Sequence, residues 1–490
     1  VLHRRERGLL MLVALAGRKA AIALCLSLAA TASGAGFAQE FSGDPRAAVK
    51  SPAAAAHSRA RLAGLQALHL CTGIFTSEMT EETVRASFQP GTRPQEPIRE
   101  IIDRERKTVS VAYADDMPPR IAVWRPYQGC TQLPIGATDA AAASLNRFPA
   151  GVAPPALHDR PWPLGDAQAT GRLKAAQKKA LSSILDAAFA DEAGDYEGQT
   201  WGVVILKDGK IVGERYDPGF GPNIAARTNS MCKSLSATLV GAGVHKGLLD
   251  LQTPAPLAEW RRAGDPRGAI TLDDLLRMAS GLYTTGDNNP QPELYGAGAP
   301  AYEISALNMM SSRPGETFVY AGSDTILATR ALRQAVADDT DFAVWPYREL
   351  LWKLGMTRTV IETDWNNDFL ISGQCWSTAR DFARLGQLYL DDGVWNGERL
   401  LPEGWSDYVS TAGPAQPTSR FLADSKYGAQ FWIYDDREGL PGKAYAAAGA
   451  FGQYAMIVPS QNLVIVRRGL DGRKGFAIAR FAADVAAALR

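Results

Sequence analysis

The chain has 490 residues, 46% hydrophobic and 21% charged, enough for a large core and two or three domains. Its formal net charge of +0 excludes a broad basic surface, so no nucleic-acid partner is expected. No spacing among its cysteines or histidines suggests a zinc site, and neither metal nor cofactor is expected.

Residues 1–38 differ from the rest. Arg4, Arg5, Arg7, Arg18 and Lys19 precede an apolar run over residues 20–32, which ends in small residues and Gly36-Phe37-Ala38. This is the pattern of a secretory signal peptide, with the start at Val1 or Met11, and the run is short for a membrane span. Its removal takes away five basic side chains and Glu6, leaving 47 basic against 51 acidic residues and a net charge of −4. A periplasmic or secreted protein is expected, with no stable membrane span after cleavage. Export permits disulfides. Cys25 leaves with the signal, Cys71 and Cys130 are expected to form a bridge, and Cys232 and Cys375 read as buried free thiols.

Residues 39–60 are rich in Ala, Ser and Pro and read as a leader. Helices are expected over residues 60–70 and 78–88. Alternation over 108–114 and 120–124, around Asp115-Asp116-Met117-Pro118-Pro119, predicts a hairpin. Prolines across 145–167 suggest a linker, so residues 39–165 form a small N-terminal accessory domain without visible chemistry. The second domain, 166–490, opens with a helix over 171–190 and a hairpin of 201–206 and 210–216 around Asp208-Gly209. A helix from Ser230 to Gly247 follows, with Asn229 or Thr228 as its cap. Thr271 caps the next helix, over 270–278, and a loop-rich helical stretch runs to about residue 410. Strands return over 443–448, 453–458 and 463–468, with Pro459-Ser460-Gln461-Asn462 as a turn, and a helix over 476–489 closes the chain. Strands at both ends of a helical stretch predict one antiparallel sheet flanked by helices, with an all-helical subdomain.

The candidate chemistry lies in the Ser230 helix, small or apolar on nearly every face. Ser230 and Lys233 share one face of its first turn, the only Ser-x-x-Lys in the chain. A lysine at the edge of an apolar interior loses its proton readily, and a neutral amine can activate a neighbouring hydroxyl. A Ser-His-Asp triad lacks its base: of five histidines only His245 is in the second domain, roughly 20 Å along the helix from Ser230. Gly-x-Ser-x-Gly, His-Glu-x-x-His, Gly-x-Gly-x-x-Gly and P-loop patterns are absent. A hydrolase built on this chain would take Lys or Tyr as base.

Three stretches carry a resemblance: Ser230-Met231-Cys232-Lys233-Ser234; Pro314-Gly315-Glu316-Thr317-Phe318-Val319-Tyr320-Ala321-Gly322-Ser323-Asp324; and Gly449-Ala450-Phe451-Gly452-Gln453-Tyr454. With supporting segments at 270–282, 354–356, 378–386 and 427–432, the second domain resembles the serine β-lactamase and penicillin-binding-protein superfamily. The similarity is to its class C-like branch, which includes 6-aminohexanoate-dimer hydrolases and esterases. The resemblance implies a β-lactamase/transpeptidase-like α+β fold with Ser230 as nucleophile and Lys233 taking its proton. It also implies Tyr320 as proton relay, lowered in pKa by a nearby lysine, and an oxyanion hole from the backbone N–H groups of Ser230 and Gln453. Ala450, Phe451 and Gly452 would contact substrate. Relatives carry Lys or His where Ala450 stands and often Asn where Gly322 stands. Loss of that cation disfavours substrates anchored by a carboxylate and points to a small amide, ester or peptide. The alternatives are β-lactamase or D-Ala-D-Ala carboxypeptidase activity with penicillin binding, and a catalytically silent protein of the same fold that binds peptidoglycan or another ligand. Asp324 is expected to cap a helix over 325–336, Arg380 and Asp381 to pair, and Trp352, Trp376 and Trp432 to be buried.

Overall fold

The computed structural model describes residues 51–490, apart from 89–98, 168, 191–193, 255, 285–291, 337, 419–424, 436 and 473–474. The expected signal peptide and most of the expected leader lie outside the described residues. By contacts, residues from Ala60 to Arg490 form one compact unit. The described part of the unit before it is Ser51 and residues 52–59, which begin helix α1 (Pro52–Phe75).

From Ala60 onward α1 buries Ala63, Ala67, Leu68, Leu70 and Ile74 with the sheet β1 (Glu100–Asp103), β2 (Thr108–Val111), β3 (Arg120–Arg125) and β4 (Gly129–Gln132), antiparallel throughout. The expected hairpin is the β2–β3 pair. β1 and β4 escape a reading by alternation because each has four residues, and β4 is buried on both faces. The Cys71–Cys130 disulfide joins α1 to β4, with Cα atoms 6.1 Å apart, as expected.

The proline-rich segment packs rather than hangs. Phe148 and Trp162 are buried in the main core, and Arg384 donates to the carbonyls of Pro163 and Gly165. Helix α2 (Ala175–Ala188) leads into the long hairpin β5 (Thr200–Lys207) and β6 (Lys210–Tyr216). Two-residue β7 (Ala226–Arg227) precedes α3 (Met231–His245). The middle of the chain supplies α4 (Leu272–Leu276), α5 (Gly322–Val336), β8 (Val360–Ile361), β9 (Cys375–Ser377) and α6 (Ala379–Leu390), then a two-stranded ribbon of β10 (Val394–Trp395) and β11 (Glu398–Arg399). Strands β12 (Lys426–Tyr427), β13 (Trp432–Ile433), β14 (Tyr445–Gly449), β15 (Gln453–Val458) and β16 (Leu463–Gly469) and helix α7 (Ile478–Ala488) complete it.

The main sheet has the order β12-β13-β14-β15-β16-β5-β6, antiparallel throughout, so strands from the two ends of the region meet where β16 pairs with β5. Alternation sorts its two faces. Val204, Leu206, Val464, Val466 and Ile457 face the cluster containing α3 and α6, whereas Val203, Ile205, Ile465, Met456 and Val458 face α2 and α7. Both faces are covered, which explains the nearly continuous apolar runs of β5 and β16.

Three local expectations change. Asp324 does not cap a helix: α5 already starts at Gly322, which places Asp324 inside the first turn, buried. Arg380 makes a bidentate pair with Glu214, both contacts at 2.7 Å, while Asp381 pairs with Arg384 at 3.0 Å; consecutive residues at a helix start point apart. Cys232 and Cys375 are not free thiols but a second disulfide, Cα–Cα 5.8 Å, across 143 residues of chain.

Candidate active site

The site is assembled where the short sheet β7-β9-β8 delivers the chain to α3. Ala226 and Arg227 pair with Ser377 and Trp376, and the Thr228 N–H donates to the Cys375 carbonyl at 2.9 Å. Asn229 then adopts φ 49°, a left-handed conformation that asparagine tolerates better than most residues. Its side-chain amide donates to the Ala450 carbonyl at 2.9 Å and Thr228 donates to the Asn229 carbonyl, so the cap position of α3 falls at Ser230 rather than at either of them. This sharp strand–turn–helix leaves Ser230 half-buried at the start of α3, with the helix behind it buried through Gly243. The positive end of the helix dipole lies at the hydroxyl.

Lys233 is 1% exposed, and its Nζ donates to the Ser372 carbonyl at 2.5 Å. Burial pushes its pKa from 10.5 down to about 7, against the opposing pull of the Asp324 carboxylate. Burial raises the pKa of Asp324 itself to about 7, with Ser280 opposing the rise. The Ser372 hydroxyl is bonded to Tyr295 Oη at 2.5 Å.

Tyr320 comes from the turn before α5, where the Val319 N–H donates to the Met278 carbonyl at 2.9 Å. Ser230 and Trp432 are both close enough to its hydroxyl to favour the ionised form, against burial. Lys233 Nζ lies 5.2 Å from the Tyr320 ring centroid. Ser230 and Lys233 from one motif and Tyr320 from another are thus brought together. The expected lowering of the Tyr320 pKa does not occur: burial drives it up to about 12, outweighing the opposing effect of Ser230 and Trp432. Of the three tryptophans, Trp376 is buried, Trp352 is half-buried and Trp432 is at the site, 5.4 Å from Tyr320 and 4.8 Å from Tyr427 between ring centroids.

The late strand motif sits differently from its sequence reading. Ala450, Phe451 and Gly452 form the β14–β15 turn, with Phe451 and Gly452 at φ 59° and 81°, and the ladder ends at the pair Gly449–Gln453. The residue against the Ser230 backbone is Gly449: a Cβ there would lie 2.3 Å from the Thr228 carbonyl oxygen and 3.0 Å from the Ser230 nitrogen. Gln453 lies across the strand pair, its side chain donating to the Phe451 and Gly469 carbonyls and accepting from Arg468 at 2.9 Å. A register displaced along a hairpin is the error a motif read without its turn invites.

Asp324, Ser372, Tyr295, Trp432 and Gly449 have no place in the motif reading of the site's chemistry. Ser372 contributes a backbone carbonyl, which no side-chain pattern announces. Gly449 was signalled by the run of small residues Ala446-Ala447-Ala448-Gly449. Among the described residues, no group of three or more His, Cys, Asp or Glu could hold a metal ion, and no helix is long and apolar enough to cross a membrane.

An antiparallel sheet closed by strands from both ends, covered by helices and presenting a serine one turn ahead of a buried lysine, defines a β-lactamase/transpeptidase-like serine hydrolase fold. Residues 185–468 match the model of the Beta-lactamase family, more than half the chain, and the chain belongs to that family. It is 26% identical over 286 residues to the 6-aminohexanoate-dimer hydrolase of Paenarthrobacter ureafaciens, covering 54% of this chain and 71% of that one. Its fold is shared with a penicillin-binding protein homologue from Caulobacter crescentus (TM-score 0.51, 15% identity, 65% of this chain and 99% of that one) and with a family VIII carboxylesterase (TM-score 0.51, 13% identity, 65% and 99%).

Proposed function

We propose that the chain is an exported hydrolase that cleaves a small amide or ester through an acyl-enzyme on Ser230. The observation that carries this reading is that Ser230 and the buried Lys233 share the first turn of α3 while Tyr320 packs against them, Lys233 Nζ lying 5.2 Å from its ring centroid. In the first step the Ser230 oxygen attacks the carbonyl carbon while Lys233 takes its proton. Tyr320, neutral throughout the working range, donates its proton to the leaving nitrogen or oxygen and is reprotonated from Lys233. Water then attacks the acyl carbon, the same groups run in reverse, and the acid is released. The oxyanion would be held by the Ser230 N–H and by the backbone at the Gly449 end of β14; this replaces Gln453 in the sequence assignment because Gly449 is the strand residue against the Ser230 nitrogen.

The 6-aminohexanoate-dimer hydrolase relative favours an amide substrate. No cation occurs from Tyr445 to Gly449, so nothing in that strand would pair with a substrate carboxylate. The signal-like residues 1–38 and the two disulfides support a periplasmic or secreted location. A fluorophosphonate probe is expected to label a peptide containing Ser230, and Ser230→Ala to abolish both labelling and turnover of p-nitrophenyl esters or short amides. Turnover unchanged in Ser230→Ala would refute the assignment, and stable labelling by fluorescent penicillin would redirect it to a penicillin-binding activity.

A further inference from the structure

Between Ser230 and Lys233 lies Cys232, and the fold spends it on a disulfide to Cys375, both fully buried. The two parts joined are the two parts on which the lysine depends. Cys232 belongs to the first turn of α3, which has no side-chain cap and is tightened by short-range bonds, Cys232 N–H to the Asn229 carbonyl and Lys233 N–H to the Ser230 carbonyl. An uncapped first turn is the least constrained part of a helix. Cys375 opens β9, three residues beyond Ser372, whose carbonyl receives Lys233 Nζ. The intervening residues form a turn closed by the Gln374 and Gly373 N–H groups on the Leu370 carbonyl, at 3.0 and 3.3 Å. The strands that β9 pairs with have two residues each, extended by one backbone bond on either side, Thr228 N–H to the Cys375 carbonyl and Glu362 N–H to the Gln374 carbonyl.

We infer that the Cys232–Cys375 disulfide is a positioning crosslink of the active site, holding the Ser372 carbonyl and the Ser230–Lys233 turn in one register so that the lysine amine stays dry and within reach of the nucleophile. The inference rests on the Ser230–Lys233 reading given above. The disulfide takes no part in the chemistry. It closes a ring through the Cys232–Lys233 backbone, the Lys233 side chain, its hydrogen bond to Ser372 and residues 372–375, and a closed ring leaves the amine little room to turn away. Cut, the turn and the carbonyl separate, water reaches the ammonium, and its pKa returns toward that of a free lysine.

The test is the double variant Cys232→Ala/Cys375→Ala in the full chain, with Cys71→Ala/Cys130→Ala as the control that removes the disulfide outside the site. Esterase kcat/KM is read from pH 5 to 10, with folding checked by circular dichroism. The expected result is a loss of about tenfold to a hundredfold in kcat/KM at pH 7 for the first pair only. Its acid limb should move upward by about one pH unit or more as Lys233 is rehydrated. A folded variant with wild-type kcat/KM and an unmoved acid limb overturns the inference. Should that variant not fold, the wild-type protein is reduced in its folded state with a trialkylphosphine, and species lacking the Cys232–Cys375 bond are counted by mass. A fluorophosphonate labelling rate and pH profile equal to those of the oxidised protein then overturn it. Ser230→Ala in the same assay separates the two claims: labelling that persists there refutes the nucleophile, whereas labelling lost there but unchanged in the cysteine pair refutes only the crosslink.

Discussion

Replacing Lys233 by Met should cost activity and increase stability, with opposite weight at different pH. The side chain is 1% exposed and its pKa falls from 10.5 to about 7 on folding, a difference worth about 5 kcal/mol between the two protonation states. The sign follows from proton counting. Between pH 7 and 10.5 the unfolded chain holds this proton and the folded chain does not, so stability rises with pH across that window. Below pH 7 the folded state carries the full cost of a buried ammonium. Methionine keeps much of the volume and removes that cost, but leaves the Ser372 carbonyl without the Nζ donor, a loss of about 1–3 kcal/mol. Lys233→Met is therefore expected to be more stable than wild type by about 2–4 kcal/mol at pH 6, after that loss is subtracted. The advantage should shrink, or reverse, near pH 10. Activity should fall by about 10²–10⁴-fold, the range for loss of a general base. Urea unfolding at pH 6 and pH 10, with kcat/KM on a p-nitrophenyl ester, checks both halves. A variant destabilised equally at both pH values would refute the buried-amine argument, and one that keeps its activity would refute the general-base role.

Three further outcomes follow from the same geometry. Tyr320→Phe should lower kcat by about 10²–10⁴-fold with little change in KM, since the ring contacts with Trp432 and Tyr427 remain; because the Tyr320 pKa is about 12, wild-type kcat/KM should rise through pH 7 and hold a plateau to pH 10. Gly449→Ala should lose at least about tenfold in activity and about 1–3 kcal/mol in urea stability, since its Cβ meets the Thr228 carbonyl at 2.3 Å. Glu362→Gln should be destabilising by about 2–5 kcal/mol in thermal unfolding: the buried carboxyl accepts from Thr72, the Cys130 N–H, Gln374 and Trp376, and an amide NH₂ would face some of those donors.

Glu362 also shows how the expected N-terminal domain meets the rest. Its partners come from α1, β4 and β9. Arg120 of β3 donates to the carbonyls of Gly296 and Ala297, both at 3.0 Å, and the Tyr347 hydroxyl donates to the Tyr127 carbonyl at 2.9 Å. No local pattern in Thr72 or Glu362 could reveal a bond across 290 residues. The proline content that suggested a linker reflects only local backbone preference, to which the burial of Phe148 and Trp162 is added by tertiary packing.

The sequence by itself determined what depends on near neighbours. The amphipathic and buried runs set the long strands and helices, Asp208-Gly209 set the β5–β6 turn, and the three-residue spacing put Ser230 and Lys233 on one turn. The order of the motifs identified the superfamily. Tertiary structure decided what depends on chain segments more than a hundred residues apart. The Ser372 carbonyl, 139 residues from Lys233, holds the amine in place. Burial around Tyr320 raises a pKa that a neighbouring cation was expected to lower. Gly449, rather than the turn that follows it, packs against the Ser230 backbone, and Cys232 finds Cys375. The physical reason is common to all four. Desolvation, backbone carbonyl direction and the approach of two main chains are properties of a place in space, and a linear sequence carries them only after the chain has closed on itself.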